Sequence, residues 1–215
     1  MKKNFWLFLL GGMMTLINTQ NDGAMGKEGR EVSSKTEHYW LVNVDGKEVK
    51  HGVYRAMHPD GSPKVEGEYK NGQKEGTWLT YSRNGRKIEA TEYKNDKKCG
   101  LCRAWSANSG KLIYKGTYKD GKPAGIHEKW YDDGKKLSEC VFKNQGADTI
   151  MEEVHWHVNG KKKAHYHYLN GQHHGSYDRW FMDGTPQEKG RYDNGKRVGE
   201  WKRWNNKGEE TVKTY

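Results

Sequence analysis

One interval governs this chain. An aromatic ring recurs at Tyr69, Tyr93, Tyr118, Phe142, Tyr168 and Tyr192, in steps of 24, 25, 24, 26 and 24 residues. A glycine recurs in parallel at Gly61, Gly85, Gly110, Gly134, Gly160, Gly184 and Gly208, in steps of 24, 25, 24, 26, 24 and 24. Two independent series with the same irregularities do not arise by chance. A fixed period of this length marks a stack of small units that gain a shared core only from their neighbours.

The unit is clearest in residues 67–90, GEYKNGQKEGTWLTYSRNGRKIEA, and again in residues 190–210, GRYDNGKRVGEWKRWNNKGEE. An aromatic leads to Asn-Gly or Asp-Gly, then to a further glycine, then to two aromatics three apart. Those pairs are Trp78 and Tyr81, Tyr177 and Trp180, and Trp201 and Trp204. A weaker first copy spans residues 41–66, with turns at Asp45-Gly46 and Asp60-Gly61. Asn-Gly or Asp-Gly occurs ten times between residues 45 and 195. This dipeptide supplies positive φ at both centres of a two-residue turn, the strongest short hairpin signal in a sequence. Each unit therefore reads as two short strands and two turns. The expected fold is all-β, an elongated antiparallel β-hairpin repeat array of about seven units. Fourteen strands at about 4.8 Å spacing give a length on the order of 65 Å.

The composition sets what fills such a core. Leu, Ile, Val and Phe together number only 30 of 215 residues, against 9 Trp and 13 Tyr. So low an aliphatic share borders on disorder, but disordered chains are poor in rings. The core must be built from flat amphipathic side chains, which bury large area and keep a polar handle near water. Trp78, Trp105, Trp130, Trp156, Trp180 and Trp204 lie in the second-strand aromatic zone and are the expected shared core, Trp78 the least secure of the set because Tyr81 takes the later place in its unit. Gly76, Gly125, Gly175 and Gly199, just before that zone, are expected to leave room for a neighbour's ring. The formal net charge of +10 favours anionic partners over cationic ones.

The N-terminus reads as an export leader. Lys2 and Lys3 precede an apolar run over residues 5–17. That run is too short for a membrane span of about 20 residues and fits the apolar region of a signal peptide. The expected organisation is a signal peptide or N-terminal anchor over 1–20, a polar linker over 21–40 and repeats over 41–215. The expected location is the periplasm, the envelope or the medium, and the cytoplasm if the leader does not function.

The string Tyr-x-Asn-Gly-x-x-x-Gly-x-Trp-x-x-Tyr, as in Tyr69 to Tyr81, resembles the MORN repeat in the variant form common in bacterial proteins. The resemblance implies a MORN-like meander of twisted hairpins and no single function. Members of that family include scaffolds, proteins proposed to bind lipid, and proteins labelled as antitoxin components of toxin–antitoxin systems. Unit 3 departs from the pattern at Asp96, Cys99 and Cys102. Unit 5 departs at Gln145-Gly146 with two inserted residues.

Little in the chain points to chemistry. Cys99 and Cys102 form a C-x-x-C, but Cys102 falls where Trp78, Tyr177 and Trp201 fall, so interior packing or a structural disulfide is the plainer reading. Cys140 makes the cysteines odd in number. His155 and His157 alternate with Trp156, and His165 and His167 with Tyr166, on either side of Asn159-Gly160. Period two puts imidazoles on one face, so the four are expected to meet across a hairpin, as a solvated face or as a Zn²⁺ or Cu²⁺ site. Asp132, Asp133 and Asp183 occupy turns, where they favour the turn itself. No nucleophile elbow, P-loop or dinucleotide fingerprint occurs. No catalytic, cofactor or metal residue is therefore assigned, and no small-molecule substrate or cofactor is expected. The expected role is a non-catalytic exported scaffold binding a protein or an anionic cell-envelope surface. Its alternatives are an antitoxin-like neutraliser of a toxin and a lipid-surface module. Nucleic acid is not the expected partner.

The leader is directly testable. A reporter enzyme active only outside the cytoplasm, fused after Trp40, should be active. Leu9→Arg should abolish that activity, because a charge in the apolar run blocks insertion. An inactive wild-type fusion would count against export.

Overall fold

The computed structural model describes residues 19–21 and 28–215, and they contain strands and turns without a helix. The chain forms two compact units, one ending at Gly100 and one running from Leu101 to Tyr215. The first holds β1 (Thr19–Asn21), β2 (Glu28–Ser33), β3 (Glu37–Val44), β4 (Lys47–Met57), β5 (Pro63–Lys70), β6 (Gln73–Tyr81) and β7 (Lys87–Lys94). The boundary falls inside β8 (Lys97–Trp105). The second unit holds β9 (Leu112–Lys119), β10 (Lys122–Trp130), β11 (Lys136–Gln145), β12 (Asp148–Trp156), β13 (Lys162–Leu169), β14 (Gln172–Trp180), β15 (Pro186–Asp193), β16 (Lys196–Trp204) and β17 (Glu210–Thr214). Within the first unit β1 to β7 pair in sequence order, all antiparallel. Within the second β9 to β17 do the same.

The all-β hairpin meander expected from the turns is present. The expected leader lies, but for its last two residues, outside the described residues. The stretch 21–40 differs from its reading as a linker. Its residues from Glu28 onward form β2 and the start of β3, paired over Gly29↔Val42 to Ser33↔His38. The reason is that a sheet ladder uses backbone groups that any residue supplies, so polar composition does not exclude a strand. Arg30 adds a bidentate ion pair to Glu48 at 2.8 and 2.7 Å.

The Asn-Gly and Asp-Gly dipeptides divide into two turn classes. Asp45-Gly46, Asn71-Gly72, Asp120-Gly121, Asn170-Gly171 and Asn194-Gly195 have positive φ at both residues, the type I′ geometry. Asn95-Asp96 adopts it without glycine, at φ of 49° and 63°. At Asp60-Gly61, Asn84-Gly85, Asp133-Gly134, Asn159-Gly160 and Asp183-Gly184 only the glycine is positive. These close wider loops, in which the glycine N–H donates to the carbonyl three residues back, as from Gly85 to Ser82 and from Gly184 to Phe181 at 2.9 Å. The acidic side chain there accepts from the backbone two residues on, as Asp183 from Thr185 at 2.8 Å and Asp133 from Lys135 at 2.9 Å. The two classes alternate along each unit. The irregular steps have local causes. The loop closed by Ser106 N–H to Lys111 O is one residue longer than the one closed by Ser82 N–H to Arg86 O. The two inserted residues lengthen the β11–β12 hairpin, whose register runs unbroken from Ser138↔His155 to Gln145↔Asp148.

The core is one row of side chains on one face of each sheet. In the first unit it runs through Tyr54, Gly67, Trp78 and Thr91, with Tyr54↔Gly67 and Trp78↔Thr91 directly paired. In the second it runs through His127, Cys140, Glu153, Tyr166, Tyr177 and Gly190 in successive pairs and reaches Trp201. Trp201 is 2 % exposed and Trp78 6 %. A Cβ on Gly190 would fall inside the Trp201 ring, and one on Gly67 inside the Trp78 ring. A Cβ on Gly116 would lie 2.6 Å from His127 Nδ1. The period aromatics close against these rings edge-on, Tyr69 on Trp78 at 5.0 Å and Tyr192 on Trp201 at 4.9 Å.

Two expectations are thereby corrected. The glycines that make room for rings are Gly67, Gly116 and Gly190. Gly76 and Gly199 would meet nothing within 4 Å and carry φ of 68° and 64° at breaks in the ladder. They are bulge glycines, needed for conformation rather than space. Secondly, Trp105, Trp130, Trp156, Trp180 and Trp204 are only half-buried, whereas Trp78 is core. Residues three apart in a strand point to opposite faces, and only the first aromatic of each pair faces the glycine row.

Trp201→Ala should therefore cost about 3–5 kcal/mol, the range for removing a buried large aromatic. Gly190→Ala should approach that loss, because the Trp201 ring must move. Gly199→Ala should cost about 1–2 kcal/mol for left-handed backbone alone, and Gly199→Asn should recover part of it. Urea midpoints of the four variants check the order.

Candidate interaction face

In the second unit the last residues of β8, β10, β12, β14 and β16 are all tryptophan: Trp105, Trp130, Trp156, Trp180 and Trp204. Each ends a strand at a wide loop, so the repeat places one indole per unit along the same loop edge. Trp130, Trp156, Trp180 and Trp204 face away from the core row, and among the described residues none stacks on its rings. Each pairs with the start of the following strand, opposite Lys136, Lys162, Pro186 and Glu210. A shallow depression lies between Trp180 and Trp204, bounded by Pro186, Asp178, Lys189 and Lys202. The adjoining loops add apolar tips, with Val158 48 % and Met182 55 % exposed. Cations border the rings. Lys136 Nζ lies 5.5 Å from the Trp156 ring centre and is paired with Glu128 and Glu139 at 2.9 and 2.6 Å. Lys202 pairs with Glu210 at 3.1 Å.

The polar residues singled out in the sequence are distributed as follows. Cys102 is 4 % exposed and occupies a core position, as its alignment with Trp78 implied. No disulfide links Cys99, Cys102 and Cys140 to one another. The four histidines do not meet across the Asn159-Gly160 hairpin. His155 shares the core face and bonds Glu153 at 2.9 Å, while His157 Nε2 lies 3.0 Å from the Trp180 carbonyl oxygen. His165 and His167 lie on the opposite face, where their rings approach to 4.6 Å beside Glu152. The alternation was read correctly within each strand. The register of β12 on β13, with His155 opposite Ala164 and Val154 opposite His165, puts His155 on one face and His165 and His167 on the other. Asp133 and Asp183 hold their loops, and Asp132 accepts from Ser109 Oγ at 2.8 Å.

Sequence reasoning missed Glu153, which fills a core position where other units have a ring. Its carboxylate accepts from His155 at 2.9 Å, from the Cys140 thiol at 3.4 Å and from the Tyr168 hydroxyl at 3.4 Å. The His155 hydrogen bond holds the carboxyl below its ordinary value, against the opposing effect of burial. Burial beside that carboxylate pushes the Cys140 thiol up to about 12, so it is a poor nucleophile at neutral pH. The signal that marks Glu153 is its place in the repeat, three residues before Trp156 at the end of β12, and it is visible only once the two inserted residues are located.

The family model described as the MORN repeat variant matches residues 50–71, 74–95 and 124–144. Each matched stretch takes in two strands and the wide loop between them, β4–β5, β6–β7 and β10–β11. No curated protein matches the chain.

Glu153 has a stated acid signature. Its folded-state pKa lies below the unfolded value, so its stabilisation is present above the ordinary value of 4.5 and is lost as pH falls through the depressed one. Glu153→Gln should lower stability at neutral pH, and the gap to the wild type should close in acid. Urea midpoints across pH check this, and a gap constant down the acid limb would contradict it.

Proposed function

We propose that this chain, built of MORN repeat variants, is a non-catalytic scaffold that engages its partner through the tryptophan edge of the second unit. The observation that carries the reading is the repeated half-exposed indole at a strand end, set beside lysines and the exposed tips Val158 and Met182. A ring kept out of the core at this position in four successive repeats costs stability that a purely structural role would recover by burying it. Tryptophan with bordering cations is also what interaction hot spots are made of. The partner class is a protein or an anionic envelope surface. The net charge of +10 supports an anionic surface, and the apolar, Lys-preceded N-terminal run supports an exported location.

The test is a double change, Trp180→Ser with Trp204→Ser. Urea unfolding should show less than half the loss produced by Trp201→Ala. Capture of the native partner from host envelope extract, or sedimentation with vesicles of phosphatidylglycerol and phosphatidylcholine, should fall at least tenfold. Vesicle binding that vanishes at high salt identifies an anionic surface, and salt-tolerant capture from extract identifies a protein. Undiminished binding by the double variant in both assays overturns the reading.

A further inference from the structure

The face of β12, β13 and β14 that carries the tryptophan edge also gathers two imidazoles and a carboxylate. Glu152 on β12 is directly opposite His167 on β13, and His165 lies two residues earlier on the same face. One donor atom from each of the three lies within 4.8 Å of the others. His165 Nε2 is 2.8 Å from Glu152 Oε1. Asp178 on β14 is directly opposite His165 and puts a second carboxylate on that face.

What separates this cluster from an ordinary surface ion pair is the support behind His167. Its Nδ1 lies 3.2 Å from the Ser176 carbonyl oxygen and 2.9 Å from Ser176 Oγ. A ring whose Nδ1–H donates to a carbonyl presents Nε2 as a neutral lone pair, the arrangement that orients metal-bound histidine in general. The backbone supplies that support through Gly175, at φ of 99°, with the His167 Cβ 3.3 Å from where a Cβ on Gly175 would sit. His165 is 23 % and Glu152 44 % exposed, so an ion has a path in.

We infer that Glu152, His165 and His167 form a binding site for a divalent transition-metal ion of the Zn²⁺ and Cu²⁺ class. Two imidazoles and one carboxylate are the donors such ions prefer, while Mg²⁺ and Ca²⁺ prefer all-oxygen sets. The ion takes the place of the proton between His165 Nε2 and Glu152 Oε1, and that proton leaves to solvent. Three protein ligands leave an outward position for water or for a donor from a docked partner. The carboxylates of Glu152 and Asp178 offset the positive charge of Lys163, two residues from His165.

The chain already contains its own controls. His38 pairs with Glu31 at 3.3 Å and His174 with Asp193 at 3.3 Å, the same couple without a supported second imidazole. The full chain is titrated with Zn²⁺ in competition with a chelating indicator, and with Cu²⁺ under electron paramagnetic resonance. The expected result is one equivalent bound at micromolar concentration or tighter, with two nitrogens coupled to Cu²⁺. Glu152→Gln, His165→Gln and His167→Gln should each weaken Zn²⁺ at least tenfold with unchanged far-ultraviolet circular dichroism. Ser176→Ala should weaken it less, and His38→Gln and His174→Gln should leave it unchanged. Binding only at millimolar Zn²⁺, or binding lost equally in the His38 or His174 variants, overturns the site.

Discussion

Everything in this fold rests on a ring lying over a missing Cβ. Trp78 covers Gly67, His127 covers Gly116 and Trp201 covers Gly190, and in each case a methyl group would occupy space the ring already fills. A single sheet layer has no second layer to bury its rings against. The rings must lie flat along their own sheet, across the neighbouring strand, and only glycine lets them come close enough. Large and small residues therefore alternate through Tyr54, Gly67, Trp78 and Thr91 in the first unit and through Tyr177, Gly190 and Trp201 in the second, and the edge-on tyrosines at the period positions close the flank. This is how a chain so poor in aliphatic side chains obtains a dry interior.

The same constraint frees the opposite face. Because one aromatic of each pair meets the glycine row, its partner three residues on points away from it. That second ring is not required for packing, and the repeat places one at every wide loop. The wide loops themselves come from glycine alone taking the left-handed conformation, which leaves room for loop tips such as Val158 and Met182. The tight type I′ turns at the other edge leave none. The two edges of each unit thus differ in kind, and of the two it is the edge with wide loops that presents apolar tips such as Val158 and Met182.

Where the row loses its rings, it gains polar chemistry. Position for position, Cys102, His127 and Glu153 stand where other repeats have Trp or Tyr. His127 is satisfied by the Tyr114 hydroxyl at 2.9 Å and the Thr117 carbonyl at 2.7 Å, so it is a core residue in spite of its type. Glu153 is satisfied by three donors. The fifth repeat, with two inserted residues and no bulge glycine in β12, carries ionisable groups on both faces: Glu153 with His155 inward, and Glu152 outward beside His165 and His167.

The sequence by itself determined the all-β class, the number of repeats, the hairpin at each Asn-Gly or Asp-Gly and the core placement of Cys102, because turn chemistry and a fixed period are local properties. It could not distinguish a tight turn from a wide loop at the same dipeptide, since the difference lies in the φ of the residue before glycine. It assigned the ring-accommodating role to Gly76 and Gly199 rather than Gly67 and Gly190, and the core to Trp180 and Trp204 rather than Trp201. It also took residues 21–40 for linker and expected the four histidines of the β12–β13 hairpin to meet. The glycine, tryptophan and histidine placements turn on register, because a shift of one residue reverses the face of every side chain beyond it. Only the tertiary structure fixes register, because it is set by which ring fits over which glycine on the neighbouring strand.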